Sequence, residues 1–213
     1  MTDLSKAVAL QGQDRRFFLE EFVRDFIRTS YRPTRDSAHM IYGVREPLIH
    51  IPPEPWEAID EHLRKVCEPK LLKMNLTASK LLFDFVRKRD YNATYHPVQD
   101  FYIGPHRSVP IGISYYVTEG DRVLFQFPQP RRDTLSDRAV RILGSIVHHA
   151  YVQGDYENAE IEVIDLGCPP KSNKREPRIR PVKRDEIMEL SELKKESQGV
   201  YDLLFELASK RRH

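Results

Sequence analysis

The sequence has few cysteines, scattered glycines and no long apolar run, and each scarcity excludes a class of protein. Only two cysteines occur, Cys67 and Cys168, too few for the disulfide framework of a small secreted protein. The 9 glycines form neither a GxxxxGK nor a GxGxxG pattern, so use of ATP or NAD is not expected. No apolar run approaches the roughly 18 residues that a membrane span requires. The N-terminus also lacks a basic region followed by an apolar core, so we predict no secretory signal, no membrane partner and a cytoplasmic location.

Motifs for metal binding and nucleophilic catalysis are missing as well. Zinc sites usually contain closely spaced pairs of Cys or His. His148 and His149 are adjacent, so on a helix they point about 100° apart and cannot chelate one ion together. We therefore predict no metal site and no cofactor, and we assign no catalytic residue.

Length and composition indicate an ordinary globular protein. The 213 residues are 40% hydrophobic and 10% aromatic, which is enough for one sizeable core. The net charge is only +2, so overall charge does not indicate a nucleic-acid-binding protein. We divide the chain into a flexible N-terminus (1–13), a mainly helical region (14–91) and an α/β region (98–210), and we expect one compact unit.

Apolar residues recur at helical spacing in the first part of the chain. One stripe consists of Phe18, Leu19, Phe22, Val23, Phe26 and Ile27. A second helix is predicted to have Pro55 in its first turn and to end at Pro69. A third is predicted to begin at a capping residue, Asn75 or Thr77.

The stretch from Val123 to Leu166 has the pattern of a strand, a helix and a second strand. Val123, Phe125 and Phe127 alternate with Arg122, Leu124 and Gln126, as in a strand with one strongly buried face and one partly buried face. The helical stripe that follows consists of Ala139, Ile142, Leu143, Ile146, Val147 and Ala150. Residues 161–166 form a nearly continuous apolar run, typical of a strand covered on both faces. A helix between two such strands predicts parallel pairing through a right-handed βαβ crossover.

The elements around this crossover complete the predicted fold. Alternation at 109–116, followed by a turn at 118–121 before Val123, predicts an antiparallel hairpin. Residues 98–103 and 178–182 are candidate edge strands, and helical spacing returns near the C-terminus. The fold class is α+β (mixed α/β): a helical N-terminal third, then a mixed sheet of about four to five strands with one βαβ crossover, closed by a C-terminal helix.

The order of helix, hairpin, third strand, helix and strand over 78–166 is similar to the core of the PD-(D/E)XK nuclease superfamily. In that family an Asp precedes a (D/E)-x-K signature on the following strand, but this strand reads LFQFP at 124–128. A Glu-x-Lys does occur at 192–194, in the predicted C-terminal helix. The resemblance therefore implies the fold without its chemistry. The enzymatic alternative is a divergent metal-dependent nuclease or phosphodiesterase that uses Asp100, Asp121 and Glu162 or Asp165.

Positive charge is concentrated in two loops that parallel pairing would bring together. The first loop, 128–133, contains two arginines. The second basic segment, 171–184, contains seven Lys or Arg residues, and Glu176 is its only acidic residue. Loops that follow parallel strands emerge at one edge of the sheet, where open α/β folds bind ligands. The first loop also precedes a helix N-terminus, which favours anions. The predicted rim consists of Arg131, Arg132, Lys171, Lys174, Arg175 and Arg178.

From this rim we predict a non-catalytic accessory protein that binds nucleic-acid backbone, or another anionic partner such as an anionic protein. The six side chains would contact phosphates without reading bases. Besides the nuclease, a third possibility is a protein-interaction module in which the helical N-terminal third supplies the partner surface.

Overall fold

The structure, a computed structural model, describes residues 1–25, 31–46 and 52–210. Its helices are α1 (Thr2–Ala9), α2 (Gly12–Asp25), α3 (Arg32–Asp36), α4 (Ala38–Tyr42), α5 (Trp56–Val66), α6 (Pro69–Val86), α7 (Asp137–Tyr151) and α8 (Leu190–Lys210). Its strands are β1 (Asn92–Tyr95), β2 (Asp100–Gly104), β3 (Arg107–Pro110), β4 (Tyr115–Glu119), β5 (Arg122–Gln129), β6 (Glu160–Asp165) and β7 (Arg178–Val182). Phe26 and Ile27, the end of the first predicted stripe, lie outside the described residues.

A five-stranded mixed sheet in the order β1-β4-β5-β6-β7 forms the centre of the fold. Strands β4 and β5 form the predicted antiparallel hairpin, in which Glu119 lies opposite Arg122. Strands β5 and β6 run parallel from Leu124 opposite Glu160 onwards, and α7 connects them. Strand β7 pairs with β6 in the antiparallel direction. The predicted α+β class and the parallel pair are therefore confirmed.

Helices cover both faces of the sheet, which explains the apolar run in β6. On one face, Phe125 and Val163 belong to the same core cluster as apolar residues of α1, α7 and α8. On the other face, Leu124 and Ile164 pack with residues of α4, α5 and α6. Because successive side chains of a strand point to opposite faces, a strand covered on both sides needs apolar residues at nearly every position.

The N-terminal residues form a helix where the sequence shows no periodicity. In α1, Leu4, Ala7 and Val8 are buried, and the helix packs against α7 and α8. Three apolar positions on two helical turns are too few to establish a period in the sequence. Residues 2–9 thus differ from the flexible segment that we expected.

The strands before the hairpin are shorter than their alternation predicts. Strand β3 ends at Pro110 and pairs with β2 in a separate two-stranded sheet, while β4 begins only at Tyr115. Between them Gly112 has a φ of 75°, a left-handed conformation that turns the chain. The alternation at 109–115 therefore runs from the end of β3 through the connection at 111–114, where Ile111 and Ile113 are buried, to the start of β4. Strand β1, which the sequence did not predict, adds the outer partner of β4.

Near the C-terminus, where the sequence predicts a helix, α8 runs without interruption from Leu190 to Lys210. Its buried residues, among them Leu193 and Val200, hold it against the core. Within residues 1–25, 31–46 and 52–210, no helix combines the length and apolar character that crossing a membrane requires.

Candidate functional site

The two predicted basic loops leave the sheet at the same edge and lie against each other. Beyond the end of the β5–β6 pair, a backbone bridge joins Asp133 to Cys168. The backbone N–H of Cys168 also donates to the carbonyl of Arg132 at 2.7 Å. The strand pairing therefore continues into the loops and fixes their relative position.

Gly167 permits this close approach. A Cβ atom at this position would lie 2.9 Å from the backbone nitrogen of Thr134 and 3.0 Å from the carbonyl oxygen of Arg132. Both neighbours are backbone atoms, which cannot move aside as the end of a flexible side chain can. The loops can therefore meet only where residue 167 has no side chain.

Two residues of the predicted rim connect this edge to its surroundings. Arg131 forms an ion pair with Asp3 of α1 at 2.7 Å. Arg175 donates from Nε to the carbonyl of Leu166 at 2.8 Å and from Nη2 to the carbonyl of Pro130. Arg175 thus joins the ends of the two loops, and its position serves the structure of the edge.

Asp165 is the buried polar centre of the edge. Its side chain is fully buried, accepts a hydrogen bond from Thr134 Oγ1, and lies 3.2 Å from Arg178 Nη2 and 3.8 Å from Arg180 Nη1. A buried carboxylate raises the free energy of the folded state unless it is paired and hydrogen-bonded. Arg178, a third residue of the predicted rim, is therefore committed to this internal pair.

The other three residues of the rim, Arg132, Lys171 and Lys174, are exposed. Arg132 and Lys174 line one groove together with Arg175, whereas Lys171 is absent from the described lining of that groove. The structure therefore brings the six residues to one edge of the sheet and three of them to one groove. Whether the six bind an anion stays a prediction.

This groove lies between the edge and helix α6 and has a volume of about 640 Å³. Helix α6 contributes Lys70 and Lys73 to it, and the guanidinium of Arg175 lies 6.0 Å from the ring centre of Tyr31. We call it the α6 groove; its described lining residues are Tyr31, Lys70, Lys73, Met74, Thr77, Leu81, Arg132, Asn173, Lys174 and Arg175.

Sequence reasoning missed Lys70 and Lys73 because it placed the start of this helix at Asn75 or Thr77. Helix α6 instead begins at Pro69, in the first helical position, where the missing N–H of proline costs nothing. The signal was therefore present, but Pro69 was interpreted only as the end of the preceding helix. No sequence pattern indicates that this helix runs beside loops from the other half of the chain.

Helix α1 adds a further cation to the edge. Lys6 Nζ lies 3.8 Å from the carboxylate of Asp133 in the first loop, and the lysine side chain is only 17% exposed. Burial lowers the pKa of the Lys6 ammonium group, and the charge of Asp133 opposes that shift. Positive charge at this edge thus comes from the N-terminal helix as well as from the two loops.

The acids of the nuclease alternative are dispersed. Asp100 lies in the small sheet and Asp121 in the hairpin turn, while Glu162 and Asp165 point to opposite faces of β6. Glu162, 4% exposed, accepts a hydrogen bond from Gln126 Nε2 at 2.8 Å. Across the part of the chain that the structure describes, no three His, Cys, Asp or Glu residues are grouped so that they could hold a metal ion. The carboxylate cluster that this chemistry needs is not formed there.

Several aromatic side chains are exposed away from the groove. Phe17 of α2 is 64% exposed, Tyr102 of β2 61% and Phe205 of α8 56%. The guanidinium of Arg107 lies 5.1 Å from the ring centre of Phe205. Aromatic residues and Arg are enriched in protein–protein interfaces, so these side chains suit contact with a protein.

Comparison with known proteins identifies relatives of the whole chain. The family model described as "Sliding clamp-binding bacterial toxin SocB" matches residues 2–213. The "DNA replication inhibitor toxin SocB" of Caulobacter vibrioides (strain NA1000 / CB15N) is 24% identical over 217 residues, which cover 99% of this chain and 90% of the relative. No solved structure matches the chain.

These matches correct the functional prediction. The partner that the family description names is a protein, the sliding clamp, so the predicted accessory role in binding nucleic-acid backbone is wrong. The nuclease alternative is wrong for the same reason, and the dispersed acids agree with that correction. Because the family model extends over nearly all of the sequence, this chain belongs to the SocB family of sliding clamp-binding bacterial toxins.

Proposed function

We propose that this protein binds a bacterial sliding clamp and inhibits DNA replication through that contact. The family match carries the proposal, because the model described as a sliding clamp-binding toxin covers residues 2–213 and not only one part of the chain. The relative named a DNA replication inhibitor toxin aligns over 99% of the chain, which supports the same reading. The protein would then act in the bacterial cytoplasm, where the chromosome is copied.

The surface of the protein supports a protein partner. The exposed rings of Phe17, Tyr102 and Phe205 offer apolar area that a partner could cover. The positive charge collected at the sheet edge favours a partner that presents acidic groups there, because charge complementarity accelerates association and fixes orientation.

Two measurements test the proposal. First, the purified clamp of the bacterium that encodes this chain is immobilised, and binding of the full-length protein is followed by biolayer interferometry. Second, primer extension by the clamp-dependent replicative polymerase is measured with increasing amounts of the protein. We expect saturable binding and slower extension over the same concentration range.

A polymerase that extends primers without a clamp serves as the control. It should retain its rate at protein concentrations that stop the clamp-dependent enzyme. The proposal is overturned if the protein does not bind the clamp, or if both polymerases are inhibited equally.

A further inference from the structure

The α6 groove collects cations from distant parts of the chain. Lys70 and Lys73 come from α6, Arg132 from the loop after β5, and Lys174 and Arg175 from the loop after β6. No Asp or Glu occurs among the described lining residues. On a protein whose net charge is only +2, this groove is a local concentration of one sign of charge.

Most of this charge is not neutralised within the fold. Among the described residues, the side chains of Lys73, Arg132 and Lys174 have no carboxylate within ion-pair distance. Lys70 lies 2.9 Å from Glu68, but both side chains are about two-thirds exposed, where such a pair contributes little. Cations that converge without counter-charges repel one another, and an acidic ligand relieves that repulsion.

The groove also has apolar lining. Met74 and Leu81 of α6 and the ring of Tyr31 contribute to its wall, and all three side chains are partly exposed. A ligand that fits both features carries carboxylates and at least one apolar side chain. An acidic stretch of polypeptide has that chemistry, whereas a bare inorganic anion would leave the apolar wall uncovered.

The length of the groove favours an extended segment. Its α6 residues run from Lys70 to Leu81 at positions that share one helical face. Eleven helical residues advance about 16 Å at ~1.5 Å each. An extended chain covers ~3.3 Å per residue, so about five residues span this distance.

We propose that the α6 groove binds an acidic segment of about five residues from the protein partner, with Lys73, Arg132 and Lys174 contacting its carboxylates. The identity of the partner rests on the proposed function. The chemistry of the groove rests on its own charges and shape. Arg175 positions the loops and is left unchanged in the test.

The test compares two double variants with equal net charge. Lys73→Glu/Lys174→Glu reverses two exposed cations of the groove, and Lys88→Glu/Lys195→Glu reverses two exposed lysines elsewhere. Both variants are first shown to melt cooperatively near the wild-type temperature. Affinity for the immobilised clamp is then measured at low and moderate salt.

We expect the groove variant to lose at least about tenfold in clamp affinity and most of its salt dependence. The control variant should stay within about twofold of wild type, because charges far from an interface contribute little. If both variants bind like wild type, the groove inference is overturned while the proposed function stands.

A second probe keeps the groove testable if the wild-type protein does not bind the clamp. A fluorescein-labelled peptide that alternates Glu and Asp around a central Leu is titrated by fluorescence anisotropy. Binding that the groove variant loses and the control keeps supports the groove although the proposed function has failed. Absence of peptide binding, or an oligonucleotide that binds instead of the peptide, overturns the inference.

Discussion

Asp165 and Arg178 lie directly opposite each other where β6 ends and β7 begins, and their side chains form an ion pair at 3.2 Å. The carboxylate is fully buried while the guanidinium remains 31% exposed. The pair therefore connects the interior of the sheet edge to its surface. The loop between these two residues carries Lys171, Lys174 and Arg175, so the geometry of the basic edge depends on this pair.

Removal of the buried partner should destabilise the protein strongly. Asp165→Ala leaves Arg178 and Arg180 close together without their shared carboxylate, and breaking a buried pair typically costs about 3–5 kcal/mol. Urea unfolding followed by circular dichroism measures this loss. Asp137→Ala is the control, because Asp137 is fully exposed although it also pairs with Arg180. A similar urea midpoint for the two variants would show that Asp165 does not hold the edge.

The contact between Gly144 and Val182 leads to a second prediction about stability. Helix α7 crosses β7 so closely that a Cβ on Gly144 would lie 2.5 Å from both Cγ atoms of Val182. Gly144→Ala should therefore destabilise by about 1–3 kcal/mol through overpacking, despite the better helix propensity of Ala. Adding Val182→Ala should recover part of the loss.

Gly199 provides the matched control for that substitution. It lies within α8, and a Cβ there would meet nothing within 4 Å. Gly199→Ala should stabilise by about 0.5–1 kcal/mol, since it lowers the conformational entropy of the unfolded chain. Thermal unfolding of the two single variants measures opposite shifts, and shifts of the same sign would contradict the close approach at Gly144.

The crossover could be predicted from sequence because its signals are local. Val123 to Leu166 contains alternating, helical and continuous apolar patterns in succession, and each reports how that segment is buried. Strand β1 gave no such signal, because its four residues are held by pairing with β4 rather than by their own pattern. Local pattern shows which face of an element is buried but not which distant element covers it.

The candidate site, too, could be predicted from the sequence only in part. Parallel pairing placed Arg132 and Lys174 correctly at one edge, since the direction of two strands determines where their loops emerge. The sequence could not show that Arg178 forms an ion pair with Asp165, because that pairing depends on the register of β7 against β6. Nor could it show that α6 lies beside the loops, which is a matter of tertiary packing.

Tyr42 and Gln126 provide a prediction for the face of the sheet that α4, α5 and α6 cover. Tyr42 donates to Gln126 Oε1 at 2.9 Å, and both side chains are buried. Burial raises the pKa of the Tyr42 hydroxyl well above its usual value, so it remains a donor at any physiological pH. Tyr42→Phe leaves the buried amide oxygen without this partner and should cost about 1–3 kcal/mol.

Tyr91→Phe is the control for this network. Gln126 Nε2 donates to Tyr91 at 3.0 Å, but the same nitrogen also donates to Glu162 at 2.8 Å. Tyr91 is half-buried, so water can replace part of what is lost. Equilibrium unfolding should rank Tyr42→Phe as clearly more destabilising, and the reverse order would show that the buried amide does not depend on Tyr42.

The stability of the fold should fall between pH 7.5 and pH 5.5 because of His39 and His148. Burial lowers the pKa of His39, against smaller opposing effects of Glu46 and Asp36. Burial and the neighbouring His149 lower the pKa of His148. The unfolded chain titrates near the ordinary value of about 6.5 and so takes up these protons first as the pH falls. Stability is therefore full above that pH, declines below it, and stops declining once the pH is below the folded-state pKa values.

Thermal unfolding at half-unit pH steps measures this dependence. His39→Gln keeps a polar group opposite Ser114, to which His39 Nε2 is hydrogen-bonded, but it cannot take up a proton. Its melting temperature should therefore fall less than that of wild type on acidification, and His39→Gln/His148→Gln should fall least. Because the lowered pKa values follow from burial in the folded state, the difference between variants should be small at pH 7.5 and grow towards pH 5.5. If His39→Gln retains the full wild-type slope, protonation of His39 is not coupled to unfolding and the pH dependence has another source.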